Sequence, residues 1–192
     1  MTMNILCDTC SVLMLIRIAP DMFTDERFDC VTVQEVCEEI FRTQKFKTKY
    51  PWRNDYKDRI RPSNFLKSTD DNFRLHLDVV DRLVDAGGVS LKTGKAFGLS
   101  FVDKKIAAYV TAYNLEISST DNSLIDFLAQ EFSKKNRSPL ALLNDWIGKG
   151  LIRWNEDIRR IIEDWEKNGE PVQPSKDKRE FFRLTGVKYI GP

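Results

Sequence analysis

Four acids in this chain stand where carboxylates can do chemistry: Asp8, Glu35, Asp103 and Asp121. Asp8 follows the apolar run Met3 to Cys7, and Asp121 follows the strand-like stretch Leu115 to Ser118. Glu35 and Asp103 fall in the first turns of segments with helical spacing. In an open parallel sheet, ligands bind at the carboxyl ends of the strands, where loops and helix N-termini meet. Two carboxylates about 4 Å apart repel by roughly 4 kcal/mol at an effective dielectric near 20, so such a cluster needs protonation, separation or a cation. A hard divalent ion, Mg²⁺ or Mn²⁺, answers that need, and it can activate water and neutralise a phosphoryl group. Phosphodiester hydrolysis is the matching reaction. The same acids also have structural uses: Glu35 and Asp103 each occupy the third position of a capping box, Thr32-Val33-Gln34-Glu35 and Ser100-Phe101-Val102-Asp103. Asp8 and Asp121 would suit strand-end turns that lead into helices.

The elements that must position these acids alternate in kind. A buried strand over Met3 to Cys7 runs into a helix reaching Ile18, and Phe28 to Val31 reads as a second strand before a helix to about Thr43. Phe73, Leu75, Leu77, Val79, Val80, Leu83 and Val84 predict one core face on a helix between Ser68 and Ala86, ended by Gly87-Gly88. Further helices are expected to Asn114, over Leu124 to Phe132, from Pro139 to Lys149 and from Asn155 to Asn168. Helices alternating with short apolar strands indicate an α/β fold with a mainly parallel sheet. The end, Pro171 to Pro192, is expected as a loosely held basic tail.

Bulk properties narrow the function classes. A length of 192 residues suits one core with an extension, and 30 basic against 29 acidic residues give a net charge of +1, which excludes a global field for nucleic acid or membranes. The longest apolar run, Val12 to Ile16, is too short to span a bilayer, and Met1-Thr2-Met3-Asn4 lacks the pattern of a signal peptide, so a cytoplasmic protein without membrane contact is expected. Cys7, Cys10, Cys30 and Cys37 have irregular zinc spacing and no histidine beside them, so reduced, mostly buried thiols are the simpler reading. His76 sits mid-helix as a structural or surface residue.

Asp8-Thr9-Cys10-Ser11, Thr32-Val33-Gln34-Glu35-Val36, Leu99-Ser100-Phe101-Val102-Asp103 and Ser119-Thr120-Asp121 resemble, in order and spacing, the acidic motifs of the PIN domain, especially of VapC-like toxins. The resemblance covers about residues 3–132. It implies a three-layer α/β/α sandwich and a Mg²⁺- or Mn²⁺-dependent endoribonuclease. Asp8, Glu35, Asp103 and Asp121 would hold the metal, supported by Thr9, Ser11 and Ser119. A PIN-like domain would span 1–135, and residues 136–192 would add C-terminal helices packed on it. Ser119 replaces the family's more usual threonine, and Ser123 stands where many relatives carry a further acid. That departure leaves a second metal open, with Asp126 or Glu38 as substitutes. Partners implied are RNA, an antitoxin protein and a second copy of the chain.

Residues 45–61 carry seven Lys or Arg against two Asp, interleaved with Phe46, Tyr50, Trp52 and Tyr56. Cations neutralise phosphates and rings stack on unpaired bases, so Lys45, Lys47, Lys49, Trp52, Arg53, Tyr56 and Lys57 are the RNA-contact candidates. The alternative is a folded segment with its rings in the core. Two other functions compete: a non-catalytic PIN-like module for RNA binding or assembly, and a DNA nuclease of flap or repair type.

Overall fold

A computed structural model describes residues 4–192. The fold is mixed α/β, mostly helical, around a small parallel sheet. Strand β1 (Ile5–Cys7) is buried at every position because it lies in the middle of the sheet, between β2 (Cys30–Val31) and β3 (Glu116–Ser118). The register sets Ile5 opposite Cys30 on one side and Glu116 on the other, and Cys7 opposite Ser118. A strand hydrogen-bonded on both sides and covered above and below reads as a continuous apolar run rather than an alternating one. Met3, expected at the start of this strand, lies outside the described residues. Beyond β3 the chain returns alongside Ile117, whose amide donates to the Lys135 carbonyl and whose carbonyl accepts from Arg137.

The second strand is shorter than its apolar run implies. Glu26–Phe28 forms a 3-10 turn and Asp29 adopts a left-handed φ of 56°, so extended backbone begins only at Cys30. Helix α1 (Thr9–Leu15) starts directly after β1. Helix α2 (Gln34–Arg42) departs from expectation: its N-cap is Val33, and no side chain caps it. The Thr32 hydroxyl instead donates to the Cys7 carbonyl at 3.2 Å, because Thr32 is fully buried beside the end of β1. A short helix, α3 (Gln44–Lys49), follows.

Helices α4 (Asp71–Asp85) and α5 (Phe101–Ala112) pack along each other, with the Phe73 and Tyr109 rings 4.2 Å apart. The inward face of α4 is narrower than its apolar residues suggested. Phe73 and Val80 are buried, whereas Leu75 and Val79 are exposed. The box at the start of α5 forms as read: Asp103 N–H donates to Ser100 Oγ, and Ser100 N–H donates to Asp103 Oδ2. Helices α6 (Asn122–Phe132), α7 (Pro139–Gly148) and α8 (Glu156–Lys167) begin at the side-chain caps Asp121, Ser138 and Asn155.

The C-terminal segment is not a loose tail. It forms α9 (Ser175–Thr185), which lies on α7. The Ser138 hydroxyl donates to the buried Asp177 carboxylate at 2.7 Å, and Asn144 Nδ2 donates to the Asp177 carbonyl at 2.8 Å. Phe181 packs edge-on between Trp154 and Tyr189. At Gly191 a Cβ would sit 2.6 Å from Ile162, an approach that only glycine permits. Trp165 Nε1 donates to the Met14 carbonyl, so α8 is anchored on α1. Buried residues from Ile5 through Trp146 to Phe181 belong to one contiguous core. No helix among the described residues is long and apolar enough to cross a membrane.

Phe181→Ala removes a fully buried ring and should lower unfolding stability by about 3–5 kcal/mol in urea titration. A change below about 1 kcal/mol would show that α9 stands outside the cooperative unit.

Candidate functional site

Asp8 is where the fold concentrates its constraints. Its amide donates to the Ser118 carbonyl at 3.0 Å, carrying the β1–β3 ladder one residue past β1. Its carboxylate is almost buried and uses both oxygens: Oδ1 accepts from the Ser11 amide at 2.7 Å, and Oδ2 accepts from the Ser119 hydroxyl at 2.5 Å. The same Ser119 oxygen accepts from the Asp121 amide at 3.0 Å. Ser119 is fixed in turn by Asn136, which accepts from its amide and donates to its carbonyl. Sequence reasoning missed Asn136, because its partner lies in a different loop and nothing in its neighbours signals the pairing.

Asp103 and Asp121 reach the site from the first turn of α5 and the start of α6. Each uses one oxygen for its helix: Asp103 Oδ2 accepts from the Ser100 amide, and Asp121 Oδ1 accepts from the Leu124 amide at 3.0 Å. Their other oxygens have no protein hydrogen-bond partner among the described residues. The electrostatics link the three. Burial pushes the Asp8 carboxyl up to about 6, against the lowering effect of the Ser119 and Ser11 hydrogen bonds, and the charge on Asp103 raises it further. Asp103 is also raised, first by burial and then by the charge on Asp121, with the Ser100 bonds opposing. None of the three aspartates forms an ion pair among the described residues.

Glu35 is held differently. Lys105, on α5, places Nζ 2.9 Å from its Oε1, and the Tyr109 hydroxyl lies 3.5 Å from Oε2. The Tyr109 hydroxyl is pushed up to about 12 by burial and then by the Glu35 charge. The α2 acid that faces α1 is Glu39, which accepts from the Thr9 hydroxyl, whereas Glu38 is turned away onto Arg42 and Gln34. Asp126 is taken by Lys92 and Ser90. The Ser123 hydroxyl accepts from the Gly98 amide, tying the glycine-bearing loop to α6.

The four acids do not close into one cage: among the described residues no three Asp, Glu, His or Cys side chains converge as metal ligands. The donor chemistry nonetheless suits a hard cation. Three carboxylates lack a counter-charge, and two of them have an oxygen without a protein partner. Mg²⁺ keeps several of its waters and takes as few as one or two carboxylates, so it does not require a convergent cage.

The basic segment is a folded wall rather than an open strip. Phe46 and Tyr50 are buried, and Trp52 and Tyr56 pack edge to face at 5.7 Å with the Arg17 guanidinium over Trp52. Arg53 is only 4% exposed and donates to the Ile40 and Tyr50 carbonyls, so as placed it reaches no ligand. Lys49 lies 3.0 Å from the buried carboxylate of Glu170, which also accepts from the Tyr50 hydroxyl. Lys45, Lys47 and Lys57 remain exposed. Lys45 is near enough to the start of α1 to lower the Cys10 thiol slightly, although burial leaves that thiol at about 12. All four cysteines are free of disulfides, and burial pushes the Cys37 thiol up to about 11.

A cleft of about 360 Å³ is lined by Ser119, Thr120, Asn122, Asn136, Pro171 and Gln173, and none of the four acids lines it. A larger cavity of about 770 Å³ lies at the amino end of β1 and β2, among Asn4, Asp25, Asp29 and Arg61, and contains none of the four acids. The chain matches no family model, no curated protein and no solved structure.

A carboxyl whose folded pKa of about 6 exceeds its usual 3.8 binds a proton more readily folded than unfolded. Stability is therefore present below pH 4 and is lost as pH rises through 6. In EDTA, Asp8→Asn should raise unfolding stability at pH 7.5 by on the order of 2 kcal/mol, with the gain fading toward pH 4. Denaturant titrations at several pH values check this, and a variant destabilised at pH 7.5 would contradict it.

Proposed function

We propose that this chain is a PIN-like, metal-dependent endoribonuclease, whose layers form an α/β/α sandwich with C-terminal helices. The observation that carries this reading is that Asp8, Asp103 and Asp121 stand at strand ends and helix N-termini without a counter-charge, with the charge on Asp103 raising Asp8 and that on Asp121 raising Asp103. An enzyme gains from such an arrangement, whereas a purely structural protein would neutralise or disperse it. Asp8, Asp103 and Asp121 would hold Mg²⁺ or Mn²⁺, which when bound supplies a water of lowered pKa and charge neutralisation at a phosphodiester.

The chain's own groups do the positioning. Ser119 orients Asp8 and sets the backbone of Asp121, and Asn136 fixes Ser119. Ser11 ties the Asp8 carboxylate to the first turn of α1, and Thr9 ties α1 to Glu39 on α2. Glu35 with Lys105 forms the rim beside α5. Exposed Lys45, Lys47 and Lys57 offer cations to an RNA backbone. In this reading the wall formed by residues 45–61 and Glu170 bounds the site, and RNA, an antitoxin protein and a second copy remain the proposed partners.

One observation favours a second reading, a non-catalytic RNA-binding or assembly module. Asp8, Asp103 and Asp121 all serve as helix caps, and Glu35 is already neutralised by Lys105.

The two separate experimentally. Purified chain incubated with single-stranded RNA and Mn²⁺ should cleave it, EDTA should stop cleavage, and Asp8→Asn or Asp103→Asn should each lower the rate by about a hundredfold or more. Calorimetry should show Mn²⁺ binding weakened in both variants. Undiminished cleavage in both, or RNA binding with no Mn²⁺ binding, would displace the nuclease reading.

A further inference from the structure

Phe101 opens α5 with 69% of its surface exposed, more than the exposed Phe65 at 46% or Phe182 at 57%. Its ring contributes little to the core, and no other aromatic ring packs on it among the described residues. An aromatic at the first helical position also adds nothing to helix formation that a smaller residue would not. Yet its place is rigidly defined. Ser100 and Asp103 cap the same turn reciprocally, so the Phe101 ring and the Asp103 carboxylate leave from one fixed piece of backbone.

One helical turn later, Lys105 lies on the same face. Its Nζ is 4.8 Å from the Phe101 ring centroid and 2.9 Å from Glu35 Oε1. Ring, cation and carboxylate thus form a continuous row that starts on the same turn as Asp103. Ser100, immediately before the ring, is exposed, and Lys104, on the same turn, pairs with Asp81 and Asp85. A lone ring in polar surroundings lacks the contiguous apolar patch that a protein interface needs. It matches a ligand that alternates flat apolar faces with anions.

We infer that Phe101 is a stacking platform for a nucleobase of single-stranded RNA, with Lys105 beside it as the cation for the adjoining phosphate. The inference deepens the nuclease reading and rests on it for the choice of RNA. It assigns the ring a role in binding the strand next to the aspartates. Stacking is tolerant of base identity, because every base has a π-face, so the platform would hold the strand in place without selecting a sequence.

The test measures binding apart from cleavage. In an Asp8→Asn background with Mn²⁺, fluorescence anisotropy would follow a labelled RNA hexamer and an abasic ribose-phosphate hexamer of equal length. Phe101→Ala and Phe101→Leu should each weaken the base-bearing hexamer about tenfold or more, while the abasic chain changes by less than about twofold. Phe101→Trp should retain the wild-type affinity. Circular dichroism would establish that all variants are folded. Equal losses on both hexamers, no loss on either, or failure of the Phe101-intact chain to bind the base-bearing hexamer would each overturn the platform. The nuclease reading fails on a different result: the otherwise unmodified chain shows no Mn²⁺-dependent cleavage. Base-specific loss without cleavage would keep the ring and remove the reaction.

Discussion

A carboxylate charge at the end of the central strand is the constraint around which this structure is arranged. Asp8 is almost buried, and an isolated ionised group in such a place is costly. The fold offsets the cost locally, with one amide from α1 and one hydroxyl from the loop after β3. Because the hydroxyl belongs to Ser119, which also receives the Asp121 amide, solvating Asp8 fixes where α6 begins. Asn136 then couples that loop to the segment entering α7. A continuous set of hydrogen bonds thus links β1, α1, the start of α6 and the segment entering α7 through one acid.

The compensation is incomplete. Hydrogen bonds hold the Asp8 carboxyl down, but burial outweighs them, and Asp103 and Asp121 add repulsion in sequence around the site. Capping a helix and binding a cation are compatible roles for such acids. A cap uses one carboxylate oxygen for a backbone amide and leaves the other, and the helix N-terminus itself favours negative charge. Glu35 illustrates the contrasting case, in which a neighbouring lysine supplies the counter-charge and the acid becomes part of a rim.

The periphery has a structural logic of its own. Tyr50, Lys49 and Glu170 join the segment after α2 to the turn after α8, and Arg53 satisfies two backbone carbonyls inside that wall. Two of the seven basic residues between 45 and 61, Lys49 and Arg53, are consequently committed to packing. The cations left exposed stand on the outer surface of a rigid element, which suits electrostatic attraction of a polyanion better than recognition of its sequence.

Local sequence determined a good deal. The apolar run before Asp8, the Ser100–Asp103 box and the ends of α2, α4, α6, α7 and α8 were legible, because caps and apolar periodicity act within a few residues. So were the four acids as strand-end and helix-start residues. Other features depended on partners far along the chain. Thr32 was read as a helix cap, but burial gave its hydroxyl to the Cys7 carbonyl. Residues 171–192 read as a basic tail because their charges outnumber their apolar residues, yet Phe181 and Asp177 find partners on α7 and around Trp154. Which aspartates feel one another, and which acid Lys105 neutralises, was likewise decided only by tertiary structure. Coulombic coupling and hydrogen bonding depend on distance in space, and sequence spacing does not fix that distance between residues on different elements.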